Sequence, residues 1–217
     1  MSIETIAERV LMLIPVWLSL TVHEFAHAWS AFKLGDNTAH EKGRLTLNPI
    51  AHIDPVGTLL LPLFGVPFGW ARPVPVNPMR FNRRFTMRQG MLITAAAGPI
   101  SNLLLALAST VLFGVLLRFA PGLITPNAPT TSLFLILINV NVALALFNLL
   151  PIYPLDGSRI ADGVMPDRFR PQWDAFCRYA PFVLIAFFIF GAGFLIEKPA
   201  QLVLAGLSRL MVGIAGY

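Results

Sequence analysis

From residue 91 to residue 117 the chain carries no Lys, Arg, Asp, Glu or His. At 1.5 Å per residue a helix of that length outruns the hydrocarbon layer of a bilayer, about 30 Å thick. Such a segment belongs either in lipid or at the centre of a large globule. A globule is excluded by composition: of 217 residues only 12% are charged and 56% are hydrophobic, whereas soluble domains carry about 25% charged residues. The mean hydropathy of +0.69 agrees. A second stretch, 119–155, also lacks Lys, Arg, Asp and Glu, and Pro121, Pro126 and Pro129 divide it into a short loop and an apolar segment at 132–150. The chain therefore reads as an all-α polytopic membrane protein, one domain over 1–217.

Four to five transmembrane helices are expected. The first covers about 6–32, interrupted by Pro15 and by the polar group His23, Glu24 and His27; the others cover 91–117, 132–150 and 179–196. A fifth at 199–217 would hold Arg209, as a snorkelling or paired cation or on an interfacial helix. Between the first two spans lies a Pro- and Gly-rich stretch, about 35–89, whose apolar middle at 56–68 predicts a re-entrant loop shielded by protein. Residues 71–76 alternate Pro73 and Pro75 with Val74 and Val76, which predicts a small extended edge strand.

Charge orients the chain. Lys42, Arg44, Arg72, Arg80, Arg83, Arg84 and Arg88 lie in the first long loop, and Arg159, Arg168, Arg170 and Arg178 in the loop after the third span, while 119–131 has no basic residue. The positive-inside rule places both basic loops in the cytoplasm and the N-terminus outside. The formal charge of +5 is then a topological signal, and no nucleic-acid partner is implied. Cys177, the single cysteine, excludes an intramolecular disulfide and a cysteine-based zinc cluster. Glu4 and Glu8 stand where a cleavable signal peptide would carry basic residues.

Within the first span the sequence reads His23-Glu24-Phe25-Ala26-His27. On a helix, positions i and i+4 share a face, so both imidazoles reach one metal ion, and the intervening glutamate is placed to act on water beside it as general base. Two histidines and a glutamate are costly in an apolar span, and intramembrane ionisable groups mark function. A catalytic zinc site needs a third protein ligand and an open position. The HExxHxxGxxH extension fails, because Ser30 and Lys33 stand where Gly and His are required. Glu41 falls on the basic loop and Glu197 at the far end of the fourth span. Asp156 is the strongest candidate: the third span runs inward and delivers it at the depth of His23. Zinc is the preferred metal for a His, His, Asp set. His40 and His52 read as hydrogen-bonded loop residues, Asp54 as turn chemistry, and Asn102, Asn139 and Asn141 as helix bridges.

These landmarks resemble the site-2 proteases, the intramembrane zinc metalloproteases of peptidase family M50. The HExxH helix is matched by His23, Glu24 and His27, and an Asn-x-x-Pro-x-x-Pro-x-Asp-Gly segment by Asn148, Pro151, Pro154, Asp156 and Gly157. Segments 43–49, 52–58, 70–77 and 98–102 are similar as well. The resemblance implies one Zn2+ on His23, His27 and Asp156, Glu24 as the catalytic base, and Asn148 positioning substrate or steadying the oxyanion. It implies a zinc metalloendopeptidase whose partners are the lipid bilayer and a transmembrane protein substrate, with the active site toward the cytoplasmic side. It is a short form, with no room for a PDZ or CBS module. A non-proteolytic zinc-binding membrane protein, a metal carrier or pseudoprotease scaffold, is the rival. A carrier has no need of Glu24 and would place more ligands along its path.

Overall fold

The computed structural model describes residues 3–60, 64, 69–189 and 193–216. Helix α1, Ile3–Lys33, contains Pro15 and ends in a Schellman turn. The Gly35 N–H donates to Phe32 O and the Asp36 N–H to Ala31 O, with Gly35 at φ +104°. That left-handed conformation is where glycine is favoured over any residue with a Cβ. The buried Asp36 then accepts from the Thr38 N–H, which begins the one-turn helix α2, Thr38–Glu41.

The long loop is built from short turns, each with its own cap. Asn48 starts a 3-10 turn at Pro49–Ala51, Asp54 accepts from the Val56 and Gly57 N–H groups to open a π-helical turn at Pro55–Leu60, and Asn77 starts another 3-10 turn at Pro78–Arg80. Asp54 thus performs the turn chemistry its sequence context predicts. The remainder of the expected re-entrant loop, 61–63 and 65–68, lies outside the described residues.

Helix α3, Met87–Phe119, opens with a reciprocal capping box between Thr86 and Gln89. Helices α4, Pro129–Asn148, and α5, Asp156–Val164, follow, then α6, Arg170–Ile189, and α7, Phe194–Ala215. Helix α3 is the hub, packing against α1, α4, α5 and α7. Its polarity is inverted relative to a soluble helix: Thr94, Gly98, Asn102, Ser109 and Thr110 face inward, while Ile100, Leu104 and Leu112 face out. Small inward residues, with Ala28 and Ala31 on α1 and Ala145 on α4, let the backbones approach closely.

Among the described residues two helices, α3 and α4, are long and apolar enough to cross a membrane. The segment expected as one span at 179–196 includes 190–192, which lie outside the described residues; on either side, α6 begins at Arg170 and carries Asp174 and Arg178, and α7 begins at Phe194. One sequence expectation is corrected. The edge strand expected at 71–76 is not a strand, and none occurs among the described residues. A strand needs a ladder partner, and here the backbone groups are spent singly. The Arg72 N–H donates to His52 O, and the Arg44 guanidinium donates to the carbonyls of Arg72 and Pro73. The Val74 N–H goes to Glu24 and the Asn77 N–H to Asp36. Pro73 and Pro75 have no N–H to offer.

Candidate metal centre

His23 and His27 lie on the inward face of α1, both buried. Their rings meet edge to face, with Nε2 atoms 3.0 Å apart. Asp156, the first residue of α5, brings its Oδ2 to 3.1 Å from His23 Nε2 and 3.2 Å from His27 Nε2. It gets there through a tight return from α4. A Cβ on Gly157 would stand 2.3 Å from the carbonyl oxygens of Leu149 and Leu150, so the residue after the aspartate must be glycine. The helix N-terminus also favours the carboxylate.

The three donor atoms form a nearly equilateral triangle. Tetrahedral ligands at zinc distances of about 2.0–2.1 Å stand roughly 3.3 Å from one another, close to the observed edges, so His23, His27 and Asp156 could hold a zinc ion. The outward ring nitrogens settle which atoms face it. His27 Nδ1 lies 2.7 Å from the carbonyl oxygen of Thr94, which can only accept, so Nδ1 carries a proton and, in the neutral ring, Nε2 presents a lone pair. His23 Nδ1 lies 2.6 Å from Asn102 Oδ1. Both partners come from α3, where Thr94, Gly98 and Asn102 fall on one face. Gly98 lets that face touch the imidazoles: a Cβ there would stand 2.5 Å from His27 Nε2 and 2.6 Å from His23 Cε1.

Glu24 is buried beside the pair, its Oε2 accepting from the Val74 N–H at 2.8 Å. The buried Arg44 pins the carbonyls just before it, and burial lowers its guanidinium pKa from the ordinary value; neighbouring Arg72 adds to this and Glu24 opposes it.

Of the sequence candidates, His23, Glu24, His27 and Asp156 come together. Asn148, at the end of α4, is half-buried and donates to Leu144 O in its own helix. His52 is buried and donates from Nε2 to Thr46 O, as a loop histidine would. Glu41 pairs with Arg80. Asn102 and Asn141 bridge helices, whereas Asn139 bonds to Leu135 O within α4. Sequence reasoning missed Val74, Arg44 and Thr94. Two of these act through backbone groups, which leave no signature in residue type.

The model for peptidase family M50 matches residues 124–191. Over 181 residues the chain is 42% identical to "Putative zinc metalloprotease YwhC" of Bacillus subtilis, covering 82% of this chain and 80% of the relative. It is 32% identical over 148 residues to "Putative zinc metalloprotease Rip2" of Mycolicibacterium smegmatis, covering 68% of this chain and 54% of that protein. The protein of the same name from Mycobacterium tuberculosis is 33% identical over 147 residues, 67% of this chain and 54% of the relative. The chain thus spans about half the length of its mycobacterial relatives. No solved structure matches it.

Proposed function

The chain belongs to peptidase family M50 and is a zinc metalloprotease, and from that premise we propose an intramembrane endopeptidase that cuts transmembrane segments of membrane proteins. Zinc sits on His23, His27 and Asp156, with Glu24 as the general base. One observation carries this reading: two Nε2 atoms and one carboxylate oxygen converge at 3.0–3.2 Å with both Nδ1 atoms already occupied.

When bound, the metal supplies Lewis-acid activation of water and of the scissile carbonyl. Glu24 accepts the proton of the attacking water and returns it to the leaving amine. The Val74 N–H fixes one carboxylate oxygen, so the other is directed toward the reacting atoms. Asn148 positions substrate or donates to the developing oxyanion from the end of α4. A substrate helix hides its peptide bonds in its own hydrogen bonds, so it must unwind.

The protein crosses the cell membrane four to five times, with a re-entrant loop between the first two spans and the active site toward the cytoplasm. The inverted polarity of α3 and the basic loops support this arrangement.

The test uses purified protein in liposomes with a panel of single-span peptides, comparing wild type with Glu24→Gln and assaying bound zinc in both. Cleavage by wild type alone, with zinc retained in both, is the expected result. Zinc in both without cleavage of any peptide by either would favour the metal carrier or pseudoprotease scaffold.

A further inference from the structure

Helix α4 contributes no atom to the donor triangle, yet a line of side chains runs from its backbone to His23. It begins at Leu137 O, which accepts from Asn141 Nδ2 at 2.8 Å. A carbonyl oxygen cannot donate, so this contact fixes which end of the Asn141 amide is nitrogen. The second Nδ2 hydrogen goes to Ser19 Oγ, 2.8 Å away on α1, and that hydroxyl donates to Pro15 O at 2.6 Å. Asn141 Oδ1 therefore faces Asn102, whose Nδ2 donates to it at 2.7 Å and to Ser19 O at 3.2 Å. Ser19 O is a second carbonyl anchor and independently gives the same orientation for Asn102. Asn102 Oδ1 is left facing His23 Nδ1, which must carry the proton. Asn102, Asn141 and Ser19 are fully buried at 0% exposure, so no solvent competes for any of these bonds.

We infer that Asn102 and Asn141 are positioning residues for the metal: together they fix the tautomer and ring orientation of His23, so that zinc binding depends on α4 being docked. The inference deepens the metal site proposed above and rests on it. Each amide in the line has both N–H groups donated and its oxygen accepting, so no member can reverse without placing two like atoms face to face. A metal-ligating histidine held in this way presents its other ring nitrogen toward the ion, and losing such a partner lowers metal affinity by roughly 10–100-fold. A packing role alone would affect stability and leave the affinity of the folded protein unchanged.

The experiment measures zinc affinity by chelator competition, with the cobalt-substituted absorption spectrum as a second readout. It uses the full chain in detergent as wild type, Asn102→Leu, Asn102→Asp, Asn141→Leu and His23→Ala. Folding of each metal-free variant is checked by its thermal melt. Asn102→Leu removes the acceptor and is expected to weaken zinc binding by about 10–100-fold. Asn102→Asp keeps the acceptor, so it should stay within a few-fold of wild type while melting lower. Asn141→Leu should weaken zinc binding without touching any ligand. Should Asn102→Leu fail to fold, the contrast between Asn102→Asp and Asn141→Leu decides. Wild-type zinc affinity and cobalt spectrum in folded Asn102→Leu, or in folded Asn141→Leu if the former does not fold, would overturn the relay. If His23→Ala also binds zinc like wild type, the site assignment falls with it.

Discussion

Replacing Gly98 with alanine tests whether α3 must touch both imidazoles. The new Cβ would stand 2.5 Å from His27 Cε1 and Nε2 and 2.6 Å from His23 Cε1. Carbon contacts begin near 3.5 Å, so α1 and α3 must part by about 1 Å or the rings must turn. The bonds that hold the rings, now 2.6 Å to Asn102 and 2.7 Å to Thr94, lie across the same interface. Adding about 1 Å takes them to roughly 3.6 Å, beyond hydrogen-bonding range. With both outward bonds lost, zinc affinity should fall by about 100-fold or more, and a 1 Å misplacement at a reacting centre can by itself cost about 100-fold in rate. The assay is zinc affinity by chelator competition, with peptide cleavage at saturating zinc. Gly206→Ala serves as control, since its added methyl meets nothing within 4 Å. Gly98→Ala protein with zinc affinity and cleavage within threefold of the control would refute the close-approach argument.

Arg44→Ala strips the carbonyls of Arg72 and Pro73 of a charged donor. Amide exchange at Val74 should accelerate and stability drop by about 2 kcal/mol, with zinc content unchanged; unaltered exchange would count against the clamp. Arg88 donates to Asp162 O at 2.7 Å and to Met165 O, closing the C-terminal end of α5, and bonds Asp167. Arg88→Ala should therefore weaken zinc binding several-fold through Asp156, measured against an unchanged affinity in Arg83→Ala. Chelation should lower the thermal midpoint reversibly, because a ligand at 1,000 times its Kd stabilises by about 4 kcal/mol; a midpoint indifferent to zinc would mean the metal is not bound by the folded state alone.

The histidine pair was legible in the sequence because His23 and His27 are one helical turn apart, while Asp156 was reached through the inward run of the span before it and the resemblance of the segment from Asn148 to Gly157. Asp54 was equally readable as a turn former. Residues 71–76 were misread for a physical reason. Alternation of Val and Pro fixes an extended backbone, but a strand also requires a ladder partner, and whether Arg44, Glu24 and Asp36 intercept those groups is decided by tertiary contact. Asn102 and Asn141 were recognisable as bridging amides, yet the direction of their bonds depends on two backbone carbonyls that composition cannot reveal.

The donor triangle draws on residues far apart in the chain, 23 and 27 against 156. His23 and His27 leave the ribosome early, and Asp156 emerges only after α1, α3 and α4 have been synthesised. Every nascent intermediate shorter than that lacks the third donor. Completion of the hydrolytic centre is thereby placed late in biogenesis: it awaits α5, made after α1, α3 and α4, while α7, which also packs on α3, follows it.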